Sequence, residues 1–350
     1  MITAELGTAH GGSLKKAVEL IHAARDAGAD CVKFQWVIAK EILHPLTGRV
    51  ELPGGSISLY SCFEALEQPP AFYHSLKEET EKAGLIFLCS PFGSESLKGL
   101  IKLGCRDVKI ASPELNHYPL LKETQNFSTV ILSTGVSKLT DIEKAVQITG
   151  DSTLLLHCIT SYPAPEEEYN LRTLPFLAGR FNLPVGVSDH SLGPTLIPCL
   201  AVTQGAVFIE KHFTLSREDG GLDDPIALTP PDFATMVENV RKIEQHPQVE
   251  AISLLKEEWG DRRVERILGR KEKKIAPSEA ENYNTTNRSI HALREIAPEE
   301  ELTNRNMAIL RTEKNLSTGL FPEHWEALLG RRAKKRIPSG EGILFDYLED

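Results

Sequence analysis

The stretch PVGVSDHSLGPTLIPCLAVTQGAVFIEKHFTL, residues 184–215, reads as one strand–helix–strand unit. Its strand-like runs, 184–187 and 206–212, are short and rich in Val, Ile and Phe, and 194–204 between them has the length of a helix. Working outward, the same alternation recurs along the chain. Strand-like runs lie at 2–6, 31–35, 85–89, 107–111, 129–132 and 153–157, with amphipathic stretches such as 14–27, 72–83, 94–103 and 142–148 between them. Strands separated by helices predict an α/β fold with a parallel sheet, and eight such repeats ending near residue 245 predict a closed (β/α)8 barrel. A doubly wound open sheet is the competing reading, but no GxGxxG follows the first strand.

The remaining chain is accounted for by length and texture. At roughly 150 residues per domain, 350 residues predict about two domains. The texture changes near Gly269: 262–274 is dense in charge, and 275–286 is rich in Pro, Ser, Glu and Asn. This divides the chain into a barrel over 1–268, a linker over 269–285 and a small, mostly β module over 286–350, where short strands and turns alternate. Within the barrel, 38–70 is an unusually long connection carrying the turn LPGG, and long βα loops shape a barrel's mouth.

Composition excludes several function classes. Apolar residues make up 41%, charged 25% and aromatic 7%, an ordinary globular balance. A net charge of −10 argues against nucleic-acid or anionic-membrane partners, although local lysines can still hold a small anion. The apolar runs are too short for a membrane span, and MITAELGTAH has neither a basic nor an apolar leader region. The six cysteines form no CxxC pair, which predicts buried free thiols in a reducing cytoplasm.

A barrel carries its chemistry at the C-terminal ends of its strands. Those ends read Glu5; Lys33 and Gln35; Ser90; Lys109 and Ser112; Ser133 and Thr134; His157; Ser188 and His190; Glu210 and His212. The two-residue period of a strand puts Lys33 with Gln35, Ser188 with His190, and Glu210 with His212 on shared sides. His190 and His212 end neighbouring strands about 5 Å apart, so they can share a metal ion with open positions, or each can be a hydrogen-bonded core residue. Lys33 and Lys109 stand in the apolar runs VKF and VKI, where a buried ammonium needs compensation. Three roles fit them: ion pairs with Glu5 or Glu114, an anion clamp completed by serine hydroxyls, or a Schiff base with a carbonyl substrate.

At these residues the sequence resembles the sialic acid synthase family. The matching stretches are AELGTAHGGS, AGADCVKFQ, GLIFLCSPF, VKIASPELNHYPLL, VILSTGV, LLHCITSYPAP, PVGVSDHSLG, GAVFIEKHFTL and GLDDPIALTPPDF. NRSIHALREI, MAILR and LLGRRAKKRIPSGEGI resemble the antifreeze-like (SAF) domain that follows the TIM barrel in that family. The resemblance implies condensation of phosphoenolpyruvate with an N-acetylated amino sugar, such as N-acetylmannosamine, to a sialic-acid-type product. It implies that Lys33, Ser90, Lys109, Ser112, Ser133, Thr160 and Ser188 hold phosphoenolpyruvate, with Thr160 standing where the family commonly has Asn. His190 and His212 would hold manganese or magnesium, with Glu210 beside them. Glu5, Gln35, Tyr162, Asp223 and Arg311 would face the sugar, and Glu5 or Glu210 would manage protons. A domain-swapped homodimer is also implied, in which Arg311 serves the partner's barrel.

The sequence departs from the family pattern mainly on the sugar side. The resemblance implies a hairpin before strand one, which residues 1–350 do not include, and the usual Asn-His reads Ala9-His10. Asp223 is followed by Asp224-Pro225 where many members have His, the usual Arg-Pro-Gly reads Arg311-Thr312-Glu313, and the aromatic that the resemblance leads one to expect near Thr285 for sugar packing is missing. The rival functions are a synthase of another 3-deoxy-2-keto sugar acid, a Schiff-base aldolase using Lys33 or Lys109, and a non-catalytic sugar-binding protein.

Overall fold

The computed structural model describes residues 1–52 and 55–349. In chain order its strands are β1 (Ile2–Gly7), β2 (Cys31–Trp36), β3 (Arg49–Leu52), β4 (Gly55–Ser58), β5 (Ile86–Pro91), β6 (Asp107–Ile110), β7 (Thr129–Ser133), β8 (Thr153–Cys158), β9 (Val185–Asp189), β10 (Phe208–His212), β11 (Arg288–Ala292) and β12 (Met307–Arg311). Eight of them form one parallel sheet in the order β5-β2-β1-β10-β9-β8-β7-β6, and β5 and β6 lie against each other to close the cylinder. Each strand expected in the barrel is present, with ends shifted by up to two residues.

Strand parity arranges the barrel interior. Cys31, Leu88, Ile131, Leu154, Leu156 and Phe208 form an apolar cluster of their own. One step further along the same sides come Lys33, Ser90, Ser133, Cys158 and Glu210, all of which line the pocket above. The alternate residues, including Val32, Phe34, Leu155, Val187 and Ile209, join the outer core beneath the helices. The site therefore stands on an apolar plug that shields it from below. Gly186 permits the close packing of β9 on β10, since a Cβ there would sit 2.3 Å from the Phe208 carbonyl oxygen.

Several helices lie beyond those read from periodicity: Thr173–Phe181, Pro230–Ile243, Gln248–Trp259 and Asp261–Leu268. The last of these occupies part of the charge-dense stretch, yet it buries Val264, Ile267 and Leu268. The long connection after β2 folds into a short helix (Ala39–Ile42), the β3–β4 hairpin and a helix (Leu59–Glu64), with Pro53 and Gly54 of the LPGG turn outside the described residues. Phe63 and Leu66 from this connection reach the pocket mouth.

Residues 269–285 are not an extended linker. Arg172 donates to the Gly269 carbonyl at 2.8 Å, Lys273 and Glu279 are buried, and residues Pro277–Asn282 form a 3-10 helix against the barrel. The C-terminal module is mostly β, as expected, with β11 and β12 antiparallel around a separate core of Ile290, Ile296, Met307, Ile309, Ile337 and Ile343. The module docks on its own barrel, where Leu43 bridges Arg311. All six cysteines are free, four of them buried and Cys62 and Cys105 half-buried. Among the described residues no helix is long and apolar enough to cross a membrane.

Candidate active site

The strand ends converge on one pocket of about 990 Å³, open at its mouth. Glu5, Lys33, Gln35, Ser90, Lys109, Ser112, Ser133, Thr160, Tyr162, Ser188, His190, Glu210, His212, Asp223 and Arg311 all line it. Its floor is a charge network. Lys33 Nζ lies 2.8 Å from Glu5 Oε2 and 3.4 Å from Glu210 Oε2, and Lys109 Nζ lies 3.7 Å from Glu210 Oε1. Lys109 donates to Ser133 Oγ at 2.6 Å, Ser188 Oγ donates to Glu210 Oε1 at 2.8 Å, and Gln35 Nε2 donates to Glu5 Oε1 at 2.8 Å.

Burial and charge pull these groups apart. Burial alone would raise the Glu210 carboxyl, but Lys109, Lys33 and the Ser188 hydroxyl outweigh it and hold it at about 2. Burial raises Glu5 against the opposing pull of Lys33. Burial also lowers the Lys109 ammonium below the usual lysine range, against the attraction of Glu210. For Lys33 the same burial cost is overcome by Glu210 and Glu5, which hold it above that range. Two ammonium groups thus share two carboxylates at the bottom of a cleft, and nearby hydroxyls remain unspent: Ser90 Oγ and Thr160 Oγ1 are buried without a hydrogen-bond partner.

The wall beside Lys109 is built from loop backbone. The Gly135 amide donates to Ser112 Oγ at 3.0 Å. Only glycine fits here, because a Cβ would lie 2.0 Å from Thr160 Oγ1 and 2.9 Å from Ser112 Oγ.

The same pocket also carries the histidines. Their ring centroids are 5.4 Å apart, and Tyr162, half-exposed at the mouth, stacks on His190 at 4.2 Å. His190 Nδ1 faces the Ile159 carbonyl at 2.8 Å, which leaves Nε2 for a ligand. His212 Nδ1 lies 3.7 Å from Asp223 Oδ2, and burial holds this imidazole neutral with a pKa of about 4. Among the described residues no cluster of three or more His, Cys, Asp or Glu is arranged to hold a metal ion. The donor set present, two neighbouring imidazoles lining the pocket, fits a divalent ion only if it takes its remaining positions from water and substrate.

Other expected residues fall elsewhere. His157 shares its side of β8 with Leu155, not with Leu156, and its Nε2 bonds the Tyr169 carbonyl at 2.5 Å in the outer core. Thr134 turns its hydroxyl onto the Leu156 carbonyl at 3.0 Å. Glu114 pairs with neither lysine; its Oε1 holds Arg288 Nη2 at 2.8 Å and Arg311 Nη2 at 2.9 Å. Strand reading missed Lys211, which is fully buried on the outer side of β10 against Asp189 at 2.6 Å. It also missed Arg288; both residues have polar neighbours in sequence, Glu210 and His212 around Lys211 and Asn287 and Ser289 around Arg288, so no local run marked them as buried charges.

A model of the NeuB family matches residues 20–250, more than half of the chain, and a SAF domain model matches 287–349. The chain belongs to the NeuB family. Among its NeuB-type relatives, the spore coat polysaccharide biosynthesis protein SpsE of Bacillus subtilis is 35% identical over 353 residues, 99% of this chain and 92% of that protein. The N,N'-diacetyllegionaminic acid synthase of Legionella pneumophila is 30% identical, covering 99% of this chain and 94% of that one. The SpsE crystal structure superposes over 100% of this chain and 95% of that one with a TM-score of 0.84 at 33% identity. A crystal structure of N-acetylneuraminic acid synthetase from Leptospira borgpetersenii, in complex with citrate, superposes with a TM-score of 0.64 at 32% identity, covering 75% of this chain and 92% of that one.

The departures from the NeuB pattern are accommodated locally. Asp224 is buried and accepts the Gly221 amide at 2.6 Å. Thr312 Oγ1 lies 3.0 Å from Ser289 Oγ, and Glu313 takes a φ of +55°. Tyr283 turns away to Asp141, and Thr286 lines the pocket instead.

Proposed function

We propose that this protein joins phosphoenolpyruvate to an N-acetylated amino sugar, giving a nonulosonic acid of the sialic type and phosphate. The observation that carries this reading is the convergence in one pocket of two buried lysines, uncommitted serine and threonine hydroxyls and a histidine pair. The names of the legionaminic acid and neuraminic acid synthases among its relatives support it. Lys33, Lys109, Ser90, Ser112, Ser133, Thr160 and Ser188 hold phosphoenolpyruvate, the lysines supplying charge and the hydroxyls direction. Glu210 stays ionised and keeps the two ammonium groups from repelling each other while the site is empty of anion.

Glu5, Gln35, Tyr162, Asp223 and Arg311 face the acceptor sugar. A manganese or magnesium ion held by His190 and His212 supplies Lewis-acid polarisation of the open-chain aldehyde when bound. The chain's own residues align C3 of phosphoenolpyruvate with that carbon, and such positioning is worth roughly 7–11 kcal/mol of barrier. A C–C bond forms there, water adds at C2, and phosphate leaves from the resulting tetrahedral carbon. Glu5, bonded to both Gln35 and Lys33, is placed to exchange a proton.

The test is phosphate release from phosphoenolpyruvate with manganese across three acceptors: N-acetylmannosamine, a diacetamido-trideoxy hexose and a 6-phosphorylated N-acetylated sugar. Turnover on one of them, lost in His190→Ala and on chelation, is expected. No release with any acceptor, together with a lysine trapped by borohydride, would establish the Schiff-base aldolase instead.

A further inference from the structure

The segment expected to act as a linker reaches the wall of the pocket. Glu279 is fully buried, and its Oε2 accepts the N–H of Val136 at 3.0 Å and the N–H of Thr160 at 2.7 Å. Its Oε1 accepts from the Ala276 amide at 3.2 Å. This segment and the first residues after it bond the opposite poles of the same two residues. Asn287 Nδ2 donates to the Val136 carbonyl at 3.0 Å, and Asn282 Nδ2 donates to the Thr160 carbonyl at 3.3 Å. Val136 and Thr160 belong to the loops after β7 and β8, so one strand of chain grips both loops by both backbone groups. Val136 sits at a φ of +41°, a conformation that a β-branched residue keeps only where its surroundings impose it.

Between the clamped residues lies the wall of hydroxyls and amides described above. Gly135 precedes Val136 and bonds Ser112, and its Cα faces the partnerless Thr160 hydroxyl. Ser133 and Lys109 adjoin it through their 2.6 Å hydrogen bond. Displacing either loop by a few tenths of an ångström would spoil the geometry of this wall toward an anion.

We propose that Glu279 is a positioning residue: by holding Val136 and Thr160 together it sets the seat that Ser112, Ser133, Gly135 and Thr160 form for the anionic end of phosphoenolpyruvate. The inference rests on the phosphoenolpyruvate reading of the site. In Glu279→Gln the negative charge is lost, and an amide NH2 must face one of three backbone N–H groups. The KM for phosphoenolpyruvate should then rise about tenfold, and inhibition by inorganic phosphate should weaken in parallel, with the KM for the sugar within about twofold of wild type. Asn282→Ala, which keeps the carboxylate and removes only the Thr160 carbonyl bond, should shift the same two constants about threefold. A merely structural role would lower the active fraction, and so kcat, while leaving both KM values alone.

Direct titration of the full chain with phosphoenolpyruvate by calorimetry separates the two levels of the argument. If the wild type binds phosphoenolpyruvate and folded variants bind it as tightly, the positioning role of Glu279 is overturned while the site reading stands. If the wild type binds none, the site reading itself falls. Should Glu279→Gln not fold, the Asn282→Ala constants decide.

Discussion

Lys109 shows how far one residue can be read. A lysine in an apolar strand has to be compensated, and the structure compensates it with Ser133 at 2.6 Å and Glu210 at 3.7 Å at the bottom of the pocket. Lys109→Met should raise the KM for phosphoenolpyruvate more than that for the sugar, because a buried charge-assisted contact to an anion is worth about 1.5–3 kcal/mol, or roughly 10- to 150-fold. Steady-state kinetics with each substrate varied in turn measure it, and a change confined to the sugar would displace Lys109 from the anion seat. The pairing of Lys33 with Glu5 was legible because both stand at the ends of strands one and two. The proposed pairing of a lysine with Glu114 failed because Glu114 sits just beyond the end of β6, where its carboxylate meets Arg288 and Arg311 from the C-terminal module.

Among the elements, the strands were the most legible, since β-branched runs between helix-length segments have few other uses. Their parity also decides which polar ends enter the pocket: His157, Asp189 and Lys211 fall on the outer side, one residue from the inner series. Strand β11 carries a testable consequence. His291 is buried between Ser289, Thr312 and the Gly340 carbonyl, and burial lowers it from 6.5 to about 4. Between those values the unfolded chain binds more protons than the folded one, so this contribution is complete above pH 6.5 and is lost as pH falls toward 4. The shift corresponds to roughly 3 kcal/mol. Thermal melts at pH 7 and pH 4.5 should show wild type losing more stability than His291→Gln over that interval; equal losses would show that His291 is not the group responsible.

At the scale of the whole molecule, Glu114 joins the two domains. One oxygen takes two guanidinium groups, and Arg288, fully buried, also donates to the carbonyls of Glu41 at 2.5 Å and Phe92 at 2.8 Å. Glu114→Ala should destabilise the protein by about 3–5 kcal/mol, the cost of leaving a buried charge unpaired, read by denaturant unfolding. A loss below 1 kcal/mol would show that the backbone carbonyls alone satisfy Arg288. Within the chain the module places Arg311 in its own pocket, whereas the sequence reading put it in a partner's. Co-expression of His190→Ala and Arg311→Ala chains tests this. Capping in cis leaves every site of a mixed dimer with one lesion, so no activity returns; an exchanged cap creates some unlesioned sites and restores part of it.

Residue order alone determined the barrel, the mostly β module after it and the set of strand-end side chains. These follow from local periodicity and from the rule that parallel strands present their C-terminal ends together. It could not determine what 269–285 does. Charge, proline and asparagine in that stretch satisfy the composition of a solvated tether equally well. Only the tertiary structure shows Glu279 spent on the amides of Val136 and Thr160, because those partners lie 143 and 119 residues away in sequence. The same holds for Arg288, whose full burial is sustained by acceptors from three separate barrel segments. Such compensation of a buried charge is a property of the packed chain, and no local pattern encodes it.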